Sequence, residues 1–273
     1  MNTKEIMTLV LDMAGLEEIP HDSGITVEGE NIKKILFGID METQEIMLGK
    51  QLGVDLVMSH HPHGGAPQID LYRVMERQID KMVEFGVPIN KAQKALKKRM
   101  GKVERGAHLG NYDRSASAAK LLNMPYMNIH LPMDIIAENF IQSYMDNVLA
   151  GRPKATLKDV INALMEIYEY QHTPAGPVIR VGSERDYCGR VAVLMAGGTN
   201  GGPDVFKAYF EAGIGTIICM HLPEDVKEEV EKQNIGNVIV AGHMASDSIG
   251  INIVIKEMEK RGLEIIKMAG IIE

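Results

Sequence analysis

Residues 31–62, NIKKILFGIDMETQEIMLGKQLGVDLVMSHHP, change hydrophobic period twice, and that alternation decides the fold class. NIKKILFGID reads as a strand entering a core, with Asp40 at its far end. Met41–Leu52 then has helical spacing, with Asp40 or Thr43 available as a cap and Gly53 as the stop. VDLVMS is a second short, fully apolar strand. Strand, helix and strand in this order make a βαβ unit, and its short Val, Ile and Leu runs imply a mostly parallel sheet covered on both faces. The second strand runs directly into HHPHGG, which holds three of the nine histidines of the chain within four positions.

Outward from this unit, Thr3–Met13 is helical and stops at Gly15. A long helix is expected over 69–85 and another from INKAQKALKKR. YMNIHL reads as a strand, Met133–Leu149 as a helix and TLKDVINALMEIYEY as another. The last third repeats the opening grammar. PVIRVG and GRVAVLMAGG read as adjacent strands, GPDVFKAYFEAG as a helix with Pro203 near its start, and IGTIICM as a strand. PEDVKEEVEKQN is an acidic surface helix and GNVIVAGH a strand ending at His243. A helix over 246–260 and the strand LEIIKMAG complete the chain. The expectation is an α/β, two-lobed subunit with mostly parallel or mixed sheets flanked by helices. Its parts are an N-terminal α/β lobe (1–125), a helical middle segment (126–177) and a C-terminal α/β segment (178–273) that completes a site between the lobes.

With 273 residues, 45% of them hydrophobic, the chain can bury one large core or two smaller ones. A formal charge of −8 argues against nucleic-acid binding, which needs a dense basic surface. The one basic run, KALKKRMGK, reads as a solvated helix face. No segment has the length of a membrane span and the N-terminus lacks the pattern of a signal peptide, so a cytoplasmic location is expected. Cys188 and Cys219 form no CxxC and suggest neither a disulfide framework nor a thiolate zinc site.

Three places can carry chemistry. His60 and His61 stand at the carboxyl end of a strand, where α/β proteins present side chains to ligands. Neighbouring strand residues point to opposite sides, so two adjacent imidazoles serve two sites if the backbone turns, as Pro62 and Gly64–Gly65 permit; a polar loop is the alternative. In AGHMASD, His243 and Asp247 lie four apart at a strand-to-helix junction, where they can converge as borderline ligands or merely line a helix start. In GAHLGNYD, Asp113 can bridge two cations or cap the next helix. Together His60, His61, Asp113, His243 and Asp247 would assemble one interlobe metal cleft. AGGTNGGPD can hold phosphate on its backbone N–H groups or be a tight turn. It has neither GxGxxG in register nor the Lys-Ser/Thr ending of a P-loop.

The paired histidine and proline, with GNYD, AGHMASD, IPHDSGITV and VAVLMAGGTNGGPDVFKAYFEAG, resembles the Nif-three-like dinuclear metal-centre family, the GTP cyclohydrolase type 2 homologues. The resemblance implies two divalent metal ions per subunit (Zn, Fe, Mn or Ni). His60 and His61 would serve different metals, Asp113 and His243 would be further ligands, and Asp247 would stand in the place of a family glutamate one methylene longer. The family's HTNLD-like element is matched to HLGNYD, with His108 displaced by one residue; segment 126–177 carries no matched motif. The resemblance further implies a homo-oligomer, commonly a hexameric ring. The expected activity is that of a metal-dependent hydrolase for a small anionic or nucleotide-like substrate, with His63 as donor or general acid or else only a support for its loop, and His221 and Glu224 as further catalytic candidates. A non-catalytic metal carrier or regulatory scaffold is the alternative.

Overall fold

A computed structural model describes residues 1–273. The elements run α1 (Thr3–Ala14), β1 (Gly24–Val27), β2 (Lys34–Gly38), α2 (Thr43–Leu52), β3 (Leu56–Ser59), α3 (Gly65–Ile69), α4 (Arg77–Glu84), α5 (Ile89–Ala107), α6 (Arg114–Leu121), β4 (Tyr126–Asn128) and α7 (Leu131–Leu149). They continue with α8 (Leu157–Leu164), α9 (Tyr168–Gln171), β5 (Val178–Val181), β6 (Arg190–Leu194), α10 (Pro203–Glu211), β7 (Ile214–Cys219), α11 (Glu224–Gln233), β8 (Asn237–Val240), α12 (His243–Lys260) and β9 (Glu264–Met268).

The expected βαβ unit is present. β2 and β3 pair in parallel from Ile35↔Leu56 to Gly38↔Ser59, and α2 ends on Gly53 in the left-handed conformation. They sit in a five-stranded sheet of order β1-β4-β3-β2-β9, in which only β1 is antiparallel. The second sheet has the order β5-β8-β7-β6. Segment 178–240 builds this second sheet, while β9 crosses back to pair with β2 in the first. Some expectations change. TLKDVINALMEIYEY forms two short helices, α8 and α9, rather than one. Residues 65–84 form α3, a 3-10 turn (Asp70–Glu76) and α4 rather than one long helix. β5 and β6 lie on opposite edges rather than side by side: the parallel crossovers β6-α10-β7-α11-β8 extend the sheet one way, and β5 closes the far edge antiparallel to β8.

Between the sheets lies the helix pair α7 and α12. Met133, Ile136, Ile251 and Val254 pack with α1 and the first sheet, whereas Ala137, Ile141, Ala245 and Ile249 pack with the second. Serving two cores leaves these helices no solvent face over much of their length: Leu131–Glu138 and Ala245–Asn252 are buried without a break. A helix buried on all sides loses the amphipathic stripe of a surface helix. Any polar residue it carries needs a partner inside the protein. Ser246 has Tyr170 and the Gly242 carbonyl, Asn252 has Glu169 and the Ile272 carbonyl, and Glu138 has Arg77 and two backbone N–H groups.

The helices touch where α12 carries Gly250: a Cβ built there would collide with the Met133 carbonyl. Gly250→Ala is therefore expected to destabilise the protein by about 1–3 kcal/mol through overpacking. Gly101→Ala in α5, whose added methyl would meet only the Arg105 guanidinium, should be neutral or stabilising by up to about 1 kcal/mol. Denaturant unfolding of the two variants checks the contrast.

Candidate metal centre

The carboxyl ends of the parallel strands of both sheets converge on α7 and α12. After β3 the ladder continues for two residues, with the His60 N–H donating to Gly38 O and the His61 N–H to Ile39 O. Ser59 pins the bend beneath them, its Oγ lying 2.8 Å from the His61 carbonyl and accepting from the Met41 N–H. β8 turns into α12 at Gly242, whose φ of 107° and close approach to the Ala175 carbonyl suit glycine alone. His243 thus opens α12, and Asp247 stands one turn below it. His130 leaves β4 in the same way, with Asp134 one turn into α7.

The imidazoles are oriented from behind. His60 Nδ1 lies 3.1 Å from the Ile129 carbonyl, which can only accept, so Nδ1 carries the proton and Nε2 the lone pair. His61 Nδ1 is 2.7 Å from Asp40, and His130 Nδ1 is 2.7 Å from the fully buried Asp22. Each ring presents Nε2 inward, as metal-ligating histidines do when the other nitrogen is held by a carboxylate or carbonyl. What those nitrogens face is acidic. His60 Nε2 is 3.2 Å from Asp134 Oδ1 and 3.8 Å from Asp247 Oδ1. His61 Nε2 and His243 Nε2 are 3.4 and 3.5 Å from Asp247 Oδ2. His130 Nε2 is 3.6 Å from Asp134 Oδ2.

A lone pair set against a carboxylate oxygen is repulsive unless a cation lies between them. His60 Nε2, Asp134 Oδ1 and both Asp247 oxygens are buried without any hydrogen-bond partner. The spacings match that requirement, since donors about 2.0–2.1 Å from a tetrahedral zinc ion lie about 3.3 Å apart. Four overlapping groups can hold an ion: His60/His61/His130, Asp40/His61/His63, His61/His243/Asp247 and His60/Asp134/Asp247. The residues present therefore fit metal ions.

Burial dominates the protonation states. It lowers His60 to about 4, lowers His243, and raises the Asp134 carboxyl. At His61 burial works the same way but is outweighed by Asp247 and Asp40, which raise it to about 10. Burial would also raise Asp247, yet the surrounding histidines hold it low.

Of the residues singled out in the sequence, His60, His61, His243 and Asp247 come together. His63 sits beside them, its Nε2 2.7 Å from Asp40, and His221 packs its ring 5.0 Å from that of His243. Asp113 and Glu224 are not brought to the cluster. α5 runs on to Ala107 and carries the following loop into solvent, so Asp113 lies exposed before α6, lining a separate surface cavity with Gly24 and Pro67. Glu224 opens α11 on the surface, 3.4 Å from Lys227. The acid that reaches the cluster is Asp134, from the middle segment for which no motif had been matched. Its sequence HLPMD keeps the His-x-x-x-Asp spacing of HMASD and of the family's HTNLD-like element, which HLGNYD lacks. That spacing, at a strand-to-helix junction, was the available signal for both His130 and Asp134.

Fold and cluster together define a class: two-lobed α/β proteins whose lobes close over a buried histidine–aspartate site able to coordinate metal ions. No protein-family profile matches the sequence, and no curated protein does. Among solved structures, a NIF3 superfamily protein from Sphaerobacter thermophilus is 35% identical, with a TM-score of 0.96 over 99% of this chain and 98% of that one. The chain belongs to the NIF3 superfamily. Reduced HcgD from Methanocaldococcus jannaschii (16% identity, TM-score 0.61, 98% and 97% covered) and Staphylococcus aureus protein SA1388 (11%, 0.56, 98% and 96%) share the fold.

Two outcomes follow from the orientation of the rings and their protonation. Asp22→Asn and Asp40→Asn should each weaken zinc binding about 10–100-fold, measured by chelator competition, because each frees a ring nitrogen's partner. His61, raised to about 10, holds a proton throughout pH 6–8 that a cation must displace, whereas His60, lowered to about 4, does not compete there. Burial raises the Asp134 carboxyl toward holding a second such proton, so zinc affinity should rise by at least about tenfold per pH unit across that interval, and an affinity flat with pH would contradict the assignment.

Proposed function

We propose that the protein is a dinuclear metal-dependent hydrolase for small anionic compounds. The observation that carries the reading is the split orientation of Asp247, whose Oδ1 faces His60 while Oδ2 faces both His61 and His243. One divalent ion would be held by His60, Asp134 and Asp247, and a second by His61, His243 and the other oxygen of Asp247. His60 and His61 thereby serve different ions, as the family resemblance implies, with Asp134 in the position expected of Asp113. Zn, Fe and Mn all suit such imidazole–carboxylate sites. Two such ions supply a lowered pKa for a water molecule and polarisation of the group under attack.

The chain's own residues do the rest. The cluster opens on a cavity of about 420 Å³ whose lining includes His61, His130, Asp134, His221 and His243. Burial lowers His221 to about 4, so at neutral pH it is an uncharged imidazole able to accept a hydrogen bond from a water or from substrate. His63 and His61 both contact Asp40 Oδ1 at 2.7 Å, which makes His63 a support for the orientation of His61. Apolar Phe206, Met220 and Leu194 line the same cavity and exclude bulk water from part of it. For assembly, exposed Met47, Leu48 and Leu52 on α2, and Leu121 on the adjacent α6, support self-association of this chain.

Elemental analysis of protein purified without added metal should find about two metal ions per chain, falling sharply in the doubly substituted H60A/H243A protein. Asp247→Asn should lose both metal and any hydrolysis of small phosphate esters, with folding monitored by circular dichroism. Metal content equal to wild type in both proteins would overturn the ligand set, and full metal content without turnover on any anionic ester would leave a metal-carrying protein instead.

A further inference from the structure

The cavity has a second chemically distinct region besides the histidine–aspartate cluster: Lys81 of α4 and the loop Gly198–Gly201, both part of its lining. α7 places Lys81 relative to the cluster. Glu138 lies one helical turn beyond Asp134, about 6 Å along the axis, and Lys81 Nζ is 3.5 Å from its carboxylate.

Lys81 is 7% exposed, and a buried ammonium needs its charge answered. Glu138 answers it only in part. Its Oε2 accepts from the Met195 and Ala196 N–H groups at 2.9 and 3.0 Å, and its Oε1 from Arg77 Nη2 at 2.9 Å. The other carboxylate near Lys81 is Glu84 at 3.2 Å, whose side chain is 64% exposed and screened by solvent. The ammonium thus keeps hydrogen-bonding capacity toward the cavity.

The loop is likewise rich in unused donors. Its carbonyls are taken: Gln78 Nε2 donates to Gly197 O and Thr199 O at 2.7 and 2.6 Å, and Arg99 Nε donates to Asn200 O at 3.2 Å. The N–H groups of Gly198, Asn200 and Gly201 have no acceptor within the protein. The Asn200 side chain is oriented by the Gly202 N–H, which donates to Oδ1, and its Nδ2 is buried without a partner. Gly201 has no room for a side chain, since a Cβ there would lie 2.5 Å from Gln78 Oε1 and 2.7 Å from Val205 Cγ2.

We propose that Lys81 and the backbone of Gly198–Gly201 form an anion subsite that holds a phosphate group of the substrate while the bond to be cleaved lies at the histidine–aspartate cluster. A point charge combined with several backbone N–H groups from a glycine-rich turn suits a tetrahedral oxyanion. A planar carboxylate is better matched by the fork of an arginine. The substrate class is then a small phosphorylated molecule with an apolar or aromatic body, seated against Phe206 and Met220. This inference rests on the hydrolase reading for its second half, but the subsite itself does not depend on metal.

Phenylphosphonate, whose P–C bond resists hydrolysis, is the probe, added to the full-length zinc-loaded protein. Hydrogen–deuterium exchange in the peptide covering 196–203 should slow on binding. By calorimetry Lys81→Met should weaken binding at least about tenfold, whereas Asp247→Asn should change it by less than about threefold while losing metal. Exchange in 196–203 that is unaltered by phenylphosphonate in the wild-type protein overturns the proposal, and this measurement needs no variant to fold. Binding that survives Lys81→Met and vanishes in Asp247→Asn overturns it as well, by placing the phosphonate at the cluster. Metal content determined on the same samples separates failure of the subsite from failure of the metal centre.

Discussion

Two carboxylates, Asp134 and Asp247, lie on stretches of helix that have no solvent face, and much of the architecture answers that constraint. A buried charge without a partner is among the most costly features a fold can carry. Other polar side chains on the central helix pair find hydrogen bonds within the protein, but both Asp247 oxygens and Asp134 Oδ1 find none. Positive charge must come to them, and the surrounding imidazoles are held with Nε2 turned inward, carrying a lone pair at His60 and, at His61, a proton that a cation would displace. Such an arrangement is strained when empty of cations and satisfied when it holds them.

The same helices join the lobes. α7 and α12 each contribute to both hydrophobic cores, so the relative position of the two sheets and the separation of Asp134 from Asp247 are set by one packing contact, centred on Gly250 and the Met133 carbonyl. β9 reinforces that coupling by returning the last strand to the first sheet. Site geometry and interlobe geometry are therefore one mechanical problem, with little freedom to alter either alone. The cavity beside the cluster inherits this rigidity: its acidic and imidazole-rich part comes from strand ends and the central helices, and its donor-rich part from α4 and a glycine loop braced by Gln78.

Much of this was legible from period and spacing. The βαβ unit, the strands that end at His60 and His243, and the junction carrying Asp247 are local patterns, and local patterns survive in a linear reading because neighbouring residues share one backbone conformation. The single helix expected over 69–85 is broken in the structure by a 3-10 turn, which preserves roughly the same hydrophobic spacing as an α-helix. Asp113 is matched to the family through GNYD, yet the length of α5 carries that bend into solvent. His130 and Asp134 have the same spacing as His243 and Asp247, but His130 falls in the strand-like YMNIHL and Asp134 in the helix expected from Met133, in a segment with no matched motif.

By itself the sequence determined the element types, the alternation that makes parallel sheets, and the residue chemistry available at each strand end. Tertiary structure alone decided which acids reach the imidazoles, that Asp22 and Asp40 stand behind the rings, and that β9 belongs with the first sheet. The physical reason is range: helix period, caps and glycine turns act over a few residues. The meeting of His60 with Asp134 and Asp247 instead spans most of the chain and depends on how two helices, each buried on every side where it carries its acid, pack against two sheets at once.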